Sequence, residues 1–160
     1  MRVIIVFFLM VLILNSSDIQ GHKHLPAKEL RTILASIKTD AIVYGSGSKE
    51  VHVFVDPLCP LSQEYMRWVT SNERLQERYR YFIHLYKLKK YNSTGLMRHI
   101  YRSDYPFLTL KRIMVEHRFP EIVNGNPGEE VDRIINKVAQ AAVRIDVYKR
   151  PYFIILRSEQ

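Results

Sequence analysis

Apolar residues along this chain fall into continuous runs and into helical spacings, and their succession lays out the elements. Val51-His52-Val53-Phe54-Val55 is β-branched or aromatic nearly throughout and reads as a buried strand. Asp56-Pro57 ends it, and Pro60 suits the first turn of a helix that runs to about Arg78. Leu61, Tyr65, Trp68, Val69 and Leu75 supply the inner face of that helix, and Arg67, Arg74, Glu77 and Arg78 its outer one. Tyr79 to Tyr86 is the next strand, so strand, helix and strand form a βαβ unit with parallel strands. Upstream, Leu30, Ile33, Leu34 and Ile37 mark an amphipathic helix over 27–38, and Ala41 to Tyr44 a short strand. Gly45-Ser46-Gly47-Ser48 then either pairs that strand with 51–55 or carries the chain elsewhere in the sheet. Downstream, helices are expected around 95–101, over 105–119 with Ser103-Asp104 as cap, and over 129–143 with Glu129-Glu130 at its N-terminus. The loop signal Asn124 to Gly128 separates the last two, and Tyr152 to Leu156 is the final strand.

The N-terminus breaks this pattern. Met1-Arg2 precedes an unbroken apolar run from Val3 to Leu14, followed by Asn15-Ser16-Ser17. Twelve helical residues span about 18 Å, short of the ~30 Å hydrocarbon core, which favours a secretory signal peptide over 1–21, with an uncleaved membrane tether as the alternative. Residues 22–40 form a lead-in helix and 41–160 a single α/β domain. The formal net charge is +8, yet the lysines and arginines are dispersed and only Lys87-Leu88-Lys89-Lys90 is dense, so a solvated basic surface is expected and no nucleic-acid binding. A membrane is a partner only if the N-terminal segment is retained.

One cysteine, Cys59, is present, which excludes an internal disulfide and a four-cysteine zinc site. It falls where the strand turns into the helix, and unpaired N–H groups at a helix N-terminus favour a thiolate. His22-x-His24 lacks a third ligand at useful spacing, and His52, His84, His99 and His117 fall in different elements, so neither metal nor cofactor is expected. Asn92-Ser93-Thr94 is a formal glycosylation sequon, meaningful only if the host glycosylates.

The segment AIVYGSGSKEVHVFVDPLCPLSQEYM resembles the start of the catalytic domain of periplasmic disulfide isomerases of the DsbC and DsbG type, and VAQAAVRIDVYKRPYFIIL resembles that family's helix, pre-proline loop and following strand. The resemblance covers about 41–156 and implies a thioredoxin-like α/β fold with a helical insertion. On the family's pattern Cys59 matches the nucleophile, Ser62 replaces the second cysteine, and Pro151 matches the cis-proline facing the active site. Pro60, Leu61 and Arg150 would then meet substrate. Arg150 departs from the family's usual Thr or Val, and the family's last strand and helix have no counterpart before Gln160, which leaves an exposed sheet edge expected. The resemblance implies thiol–disulfide exchange in the periplasm with protein partners that carry thiols or disulfides. A single cysteine can form and release mixed disulfides, but net oxidation or reduction needs an external thiol. The alternative is a redox-inactive binding or scaffold protein in which Cys59 is a small buried hydrophobe.

Overall fold

The computed structural model describes residues 25–122 and 128–156. Four strands form one sheet in the order β1-β3-β2-β4: β1 (Ile42–Tyr44), β2 (Lys49–Val55), β3 (Tyr79–Leu85) and β4 (Tyr152–Ile155). β2 and β3 are parallel, whereas β1 on β3 and β4 on β2 are antiparallel. The first two strands are therefore not neighbours. Gly45 and Gly47 carry the chain past the end of β3: Gly45 has φ +81°, and a Cβ on Gly47 would stand 2.1 Å from the carbonyl carbon of Arg78.

The runs without alternation are the two central strands. Val51 to Val55 and Tyr81 to Leu85 are buried on both faces, while the edge strand β4 alternates between half-buried and exposed residues. On one face Val51, Val53, Val55, Tyr81, Ile83 and Leu85 pack against α2 (Pro60–Thr70), α4 (Thr94–Arg102) and α5 (Pro106–Met114). On the other, Phe54, Tyr152 and Ile154 pack under α1 (Ala27–Lys38) and α6 (Glu129–Ile145). Ala141 and Ala142 lie among Leu34, Ile37 and Val138, where small side chains let α1 and α6 approach. Asp146, in the left-handed conformation, closes α6, and its N–H and that of Val147 take up the last carbonyls.

Two helices are shorter than the apolar spacing predicts. The helix expected to reach Arg78 stops at Thr70, and α3 (Glu73–Arg78) starts anew because the Asn72 side chain accepts from the Leu75 N–H and caps it. Leu61 and Trp68, expected inside, stand on the outer face of α2 at 63% and 56% exposure, while Ser62, Met66 and Val69 face the core. The helix expected over 105–119 ends at Met114, where His117 at φ +54° lets Arg118 N–H bond the Arg112 carbonyl. Its expected cap is also different: Ser103 Oγ accepts from Tyr105 N–H, and Tyr105 is the N-cap residue. The H-x-H pair, the signal segment and most of the Asn124–Gly128 loop lie outside the described residues. No helix among the described residues is long and apolar enough to cross a membrane.

Candidate functional site

Because β2 and β3 run parallel and β4 runs against them, three loops meet at one end of the sheet: 56–59 after β2, 86–93 after β3, and 146–151 before β4. The first loop is built around Asp56, which is fully buried. One carboxylate oxygen accepts from Leu58 N–H at 2.9 Å and from Ser93 Oγ at 2.6 Å, and the other from Leu88 N–H at 2.5 Å. A charged acceptor with three donors is a strong anchor in a dry site. It ties the end of β2 to the second loop. Cys59 N–H then donates to the Asp56 carbonyl at 3.0 Å, and Cys59 becomes the N-cap of α2 with Pro60 at its first position.

The Cys59 sulfur lies 3.8 Å from the carbonyl oxygen of Arg150, and the Arg150–Pro151 peptide bond is cis. Residues 91 positions apart are thus brought to one point. Cys59 is only 4% exposed, whereas Pro60 and Leu61 beside it face solvent. The thiol is thus a sheltered group at the N-terminal end of a helix.

Two of the expected site side chains are used differently from their sequence reading. Ser62 is fully buried, and its hydroxyl accepts from Asp56 N–H at 3.3 Å rather than meeting the thiol. The Arg150 side chain turns back from the sulfur. Its guanidinium donates to the carbonyls of Tyr86 (2.9 Å), Val147 (3.1 Å), Lys149 (3.0 Å) and Lys87 (3.2 Å), and stacks on the Tyr86 ring with its carbon 3.8 Å from the centroid. Burial pulls the guanidinium below its ordinary pKa, opposed by Tyr86 and by the charges of Asp56 and a Cys59 thiolate. Arg150 is a clamp joining the second and third loops, and its backbone carbonyl faces the sulfur. Sequence reasoning passed over Ser93 and Tyr86. The Asn92-Ser93-Thr94 triplet preceding a helical pattern was the one signal for Ser93, as a helix start.

Elsewhere on the same sheet, a groove of about 280 Å³ lies between α2, α3 and β4, lined by Tyr65, Trp68, Leu75, Tyr79, Phe153 and Ile155 among others. It stands toward the N-terminal ends of β2 and β3, away from Cys59. Among the described residues no cluster of three histidine, cysteine or carboxylate groups is placed to hold a metal ion.

The sequence matches no protein-family model and no curated protein. The structure, however, is similar to several solved ones. Against DsbG of Helicobacter pylori the TM-score is 0.61 at 16% identity, covering 81% of this chain and 62% of that one. Against ScsC of Proteus mirabilis in a compact conformation it is 0.63 at 12% identity, covering 96% and 82%. The thiol-disulfide exchange protein α-DsbA2 of Wolbachia pipientis gives 0.50 at 13% identity, covering 82% and 88%. The fold is thioredoxin-like. In that fold the parallel β2–β3 pair and antiparallel β4 place Cys59, α2 and the Arg150–Pro151 bond at one end of the sheet. The chain spans about three-fifths of the DsbG chain's length, 62%.

Proposed function

We propose that this thioredoxin-like protein takes part in thiol–disulfide exchange with other proteins through Cys59. The observation that carries this reading is the placement of the chain's one sulfur at the N-cap of α2, 3.8 Å from the carbonyl that precedes a cis proline. In the proposed step the Cys59 thiol gives its proton to solvent and the thiolate attacks one sulfur of a partner disulfide. A Cys59–partner S–S bond forms as the partner's own S–S bond breaks, and the other partner sulfur leaves as a thiolate. Ser62 cannot resolve the mixed disulfide, so the departing thiol, another thiol of the partner or an external thiol attacks it and frees Cys59. Return by the partner's own thiols shuffles disulfides without net redox change. Pro60 and Leu61, exposed at the start of α2, and the Arg150–Pro151 backbone are the proposed partner-contacting surface, with Ser62 shaping the turn. An exported, periplasmic setting fits this chemistry, because disulfides persist there. It is supported by the N-terminal apolar run and by similarity to proteins such as a periplasmic thioredoxin-like protein of Salmonella enterica serovar Typhimurium (TM-score 0.56, 13% identity).

The 4% exposure of Cys59 favours a second reading, a binding or scaffold protein whose cysteine is inert. Trapping separates the two. Wild-type chain and Cys59→Ser are incubated with a scrambled-disulfide protein, quenched with acid and analysed without reductant. Exchange gives a reductant-sensitive adduct in wild type alone. Its absence at every time point, with no alkylation of the folded thiol, establishes the scaffold reading instead.

A further inference from the structure

The loops around Cys59 carry a charge pattern that the exchange chemistry does not require. Lys87, Lys89, Lys90 and Lys149 are all exposed, and none of their ammonium groups is in an ion pair among the described residues; Lys90 and Lys149 rest over the rings of Tyr91 and Tyr148. Some cations elsewhere pair with acids, as Lys38 with Glu50, Arg98 with Asp132, Lys137 with Asp40 and Arg133 with Glu130, and others such as Lys28, Lys49 and Lys111 stand singly among the described residues; here four stand on two neighbouring loops. The acids on the site's own elements offset little. Asp56 is buried with both oxygens bonded and Glu64 lies more than a turn along α2, which leaves the half-buried Asp146 on the third loop against four lysines. Nor are the lysines on free loops. Arg150 bonds the carbonyls of Lys87 and Lys149 themselves, and Asp56 holds Leu88 N–H, so one network fixes the backbones of Lys87 and Lys149 on the two loops that flank the Cys59 turn.

We infer that the Cys59 site selects partners that present their sulfur next to carboxylates, in effect an acidic segment flanking a cysteine. This rests on the exchange reading above and gives it a substrate class. Unpaired cations set around a reactive atom raise the local concentration of anions and speed their encounter, by tenfold or more at low salt. Phosphate polymers share that attraction, but they offer no sulfur to Cys59.

The test uses the full chain and symmetric disulfide probes of similar size: dithiodipropionate (dianionic), bis(2-hydroxyethyl) disulfide (neutral) and cystamine (dicationic). In each reaction the probe's S–S bond breaks, one half joins Cys59 and the other leaves as a thiolate that takes a proton from solvent. Rates are divided by those of β-mercaptoethanol with the same probe. The expected dianion-to-dication ratio is about tenfold or more at low salt, declining as salt rises. It should approach one in Lys87→Gln/Lys89→Gln/Lys90→Gln/Lys149→Gln. A wild-type ratio of one, or a ratio that the four substitutions leave unchanged, overturns the inference. A second arm stands apart from reactivity: Cys59→Ser is titrated with fluorescent peptides carrying a serine flanked by glutamates or by lysines. Tenfold preference for the glutamate peptide supports the inference even if no probe reacts, in which case only the exchange reading fails. No preference, or tighter binding of a thymidine oligonucleotide than of the glutamate peptide, overturns it.

Discussion

Both oxygens of Asp56 are taken up inside the protein, and the donors they satisfy belong to two loops: Leu58 on its own, and Leu88 and Ser93 on the loop after β3. Asp56→Ala leaves two buried N–H groups and a hydroxyl without an acceptor, and a buried unsatisfied donor costs about 1–3 kcal/mol. The expected loss is about 3–5 kcal/mol, read as a lower urea midpoint with unchanged slope. Asp56→Asn should recover little, since its amide NH₂ would face a donor. Ser62→Ala removes one long bond to Asp56 N–H and should cost about 1 kcal/mol while leaving Cys59 adduct formation within twofold. A tenfold fall in adduct rate would restore Ser62 to the role its position suggests. The turn-shaping part of Asp56 was legible from Asp-Pro at the end of an apolar run. The direction of Arg150 was not. The resemblance places that residue beside the sulfur, but a buried guanidinium turns to whichever acceptors the fold supplies, and these are four carbonyls on the loops flanking it.

At the scale of elements, the central strands carry a polar pair that their apolar runs conceal. His52 on β2 and His84 on β3 lie on the face covered by α1 and α6, with Nδ1 of His52 3.0 Å from Nε2 of His84 and the rings stacked. Only one of those two nitrogens can carry the shared proton, and His84 Nδ1 has no partner. Burial lowers the pKa of His52 to about 4, with Glu50 opposing and Lys38 assisting, and that of His84 to about 3, with His52 assisting. Both folded values lie below the ordinary ~6.5, so the unfolded chain binds more protons as pH falls below 6.5. The pair's contribution to stability is therefore intact above about pH 6.5 and is lost as pH falls toward 4 and then 3. Urea unfolding between pH 7 and pH 5 should show stability falling by about 1–3 kcal/mol per pH unit, and His52→Phe/His84→Leu should flatten that slope. An unchanged slope in the double variant would assign the pH dependence to other groups. The same scale holds a steric prediction. A methyl group on Gly47 meets the backbone between Arg78 and Tyr79, which cannot yield as a flexible side chain can, so Gly47→Ala should cost about 1–3 kcal/mol or more. The β2-α2 order and the parallel return to β3 could be read from run, turn and period. The break at Asn72 could not be read from the apolar pattern, because it rests on a capping bond that competes with helix continuation.

For the molecule as a whole, the sheet has helices over both faces, and among the described residues no strand pairs with the outer side of β4. Leu156 N–H donates to the Glu50 carbonyl, so in the antiparallel alternation residues 152, 154 and 156 turn their backbone groups to β2, while Phe153 and Ile155 turn theirs outward. Their side chains are 56% and 49% exposed, and Phe153 stacks on Tyr65 with centroids 6.1 Å apart, forming one wall of the apolar groove. The groove was not legible in the sequence, since it depends on Trp68 standing at the rim rather than inside. Trp68 is the chain's one tryptophan and therefore a specific reporter of this region. At 56% exposure its emission should be red-shifted and readily quenched by acrylamide. The Arg78 guanidinium, over the Tyr79 ring in the groove wall, together with the net charge of +8, should make iodide a stronger quencher than caesium at equal ionic strength, with the difference closing as salt is added. A blue-shifted emission resistant to all three quenchers would mean that the groove is covered in solution. Dilution then identifies the cover: protection lost on dilution belongs to a second molecule, and protection that survives dilution belongs to the chain itself.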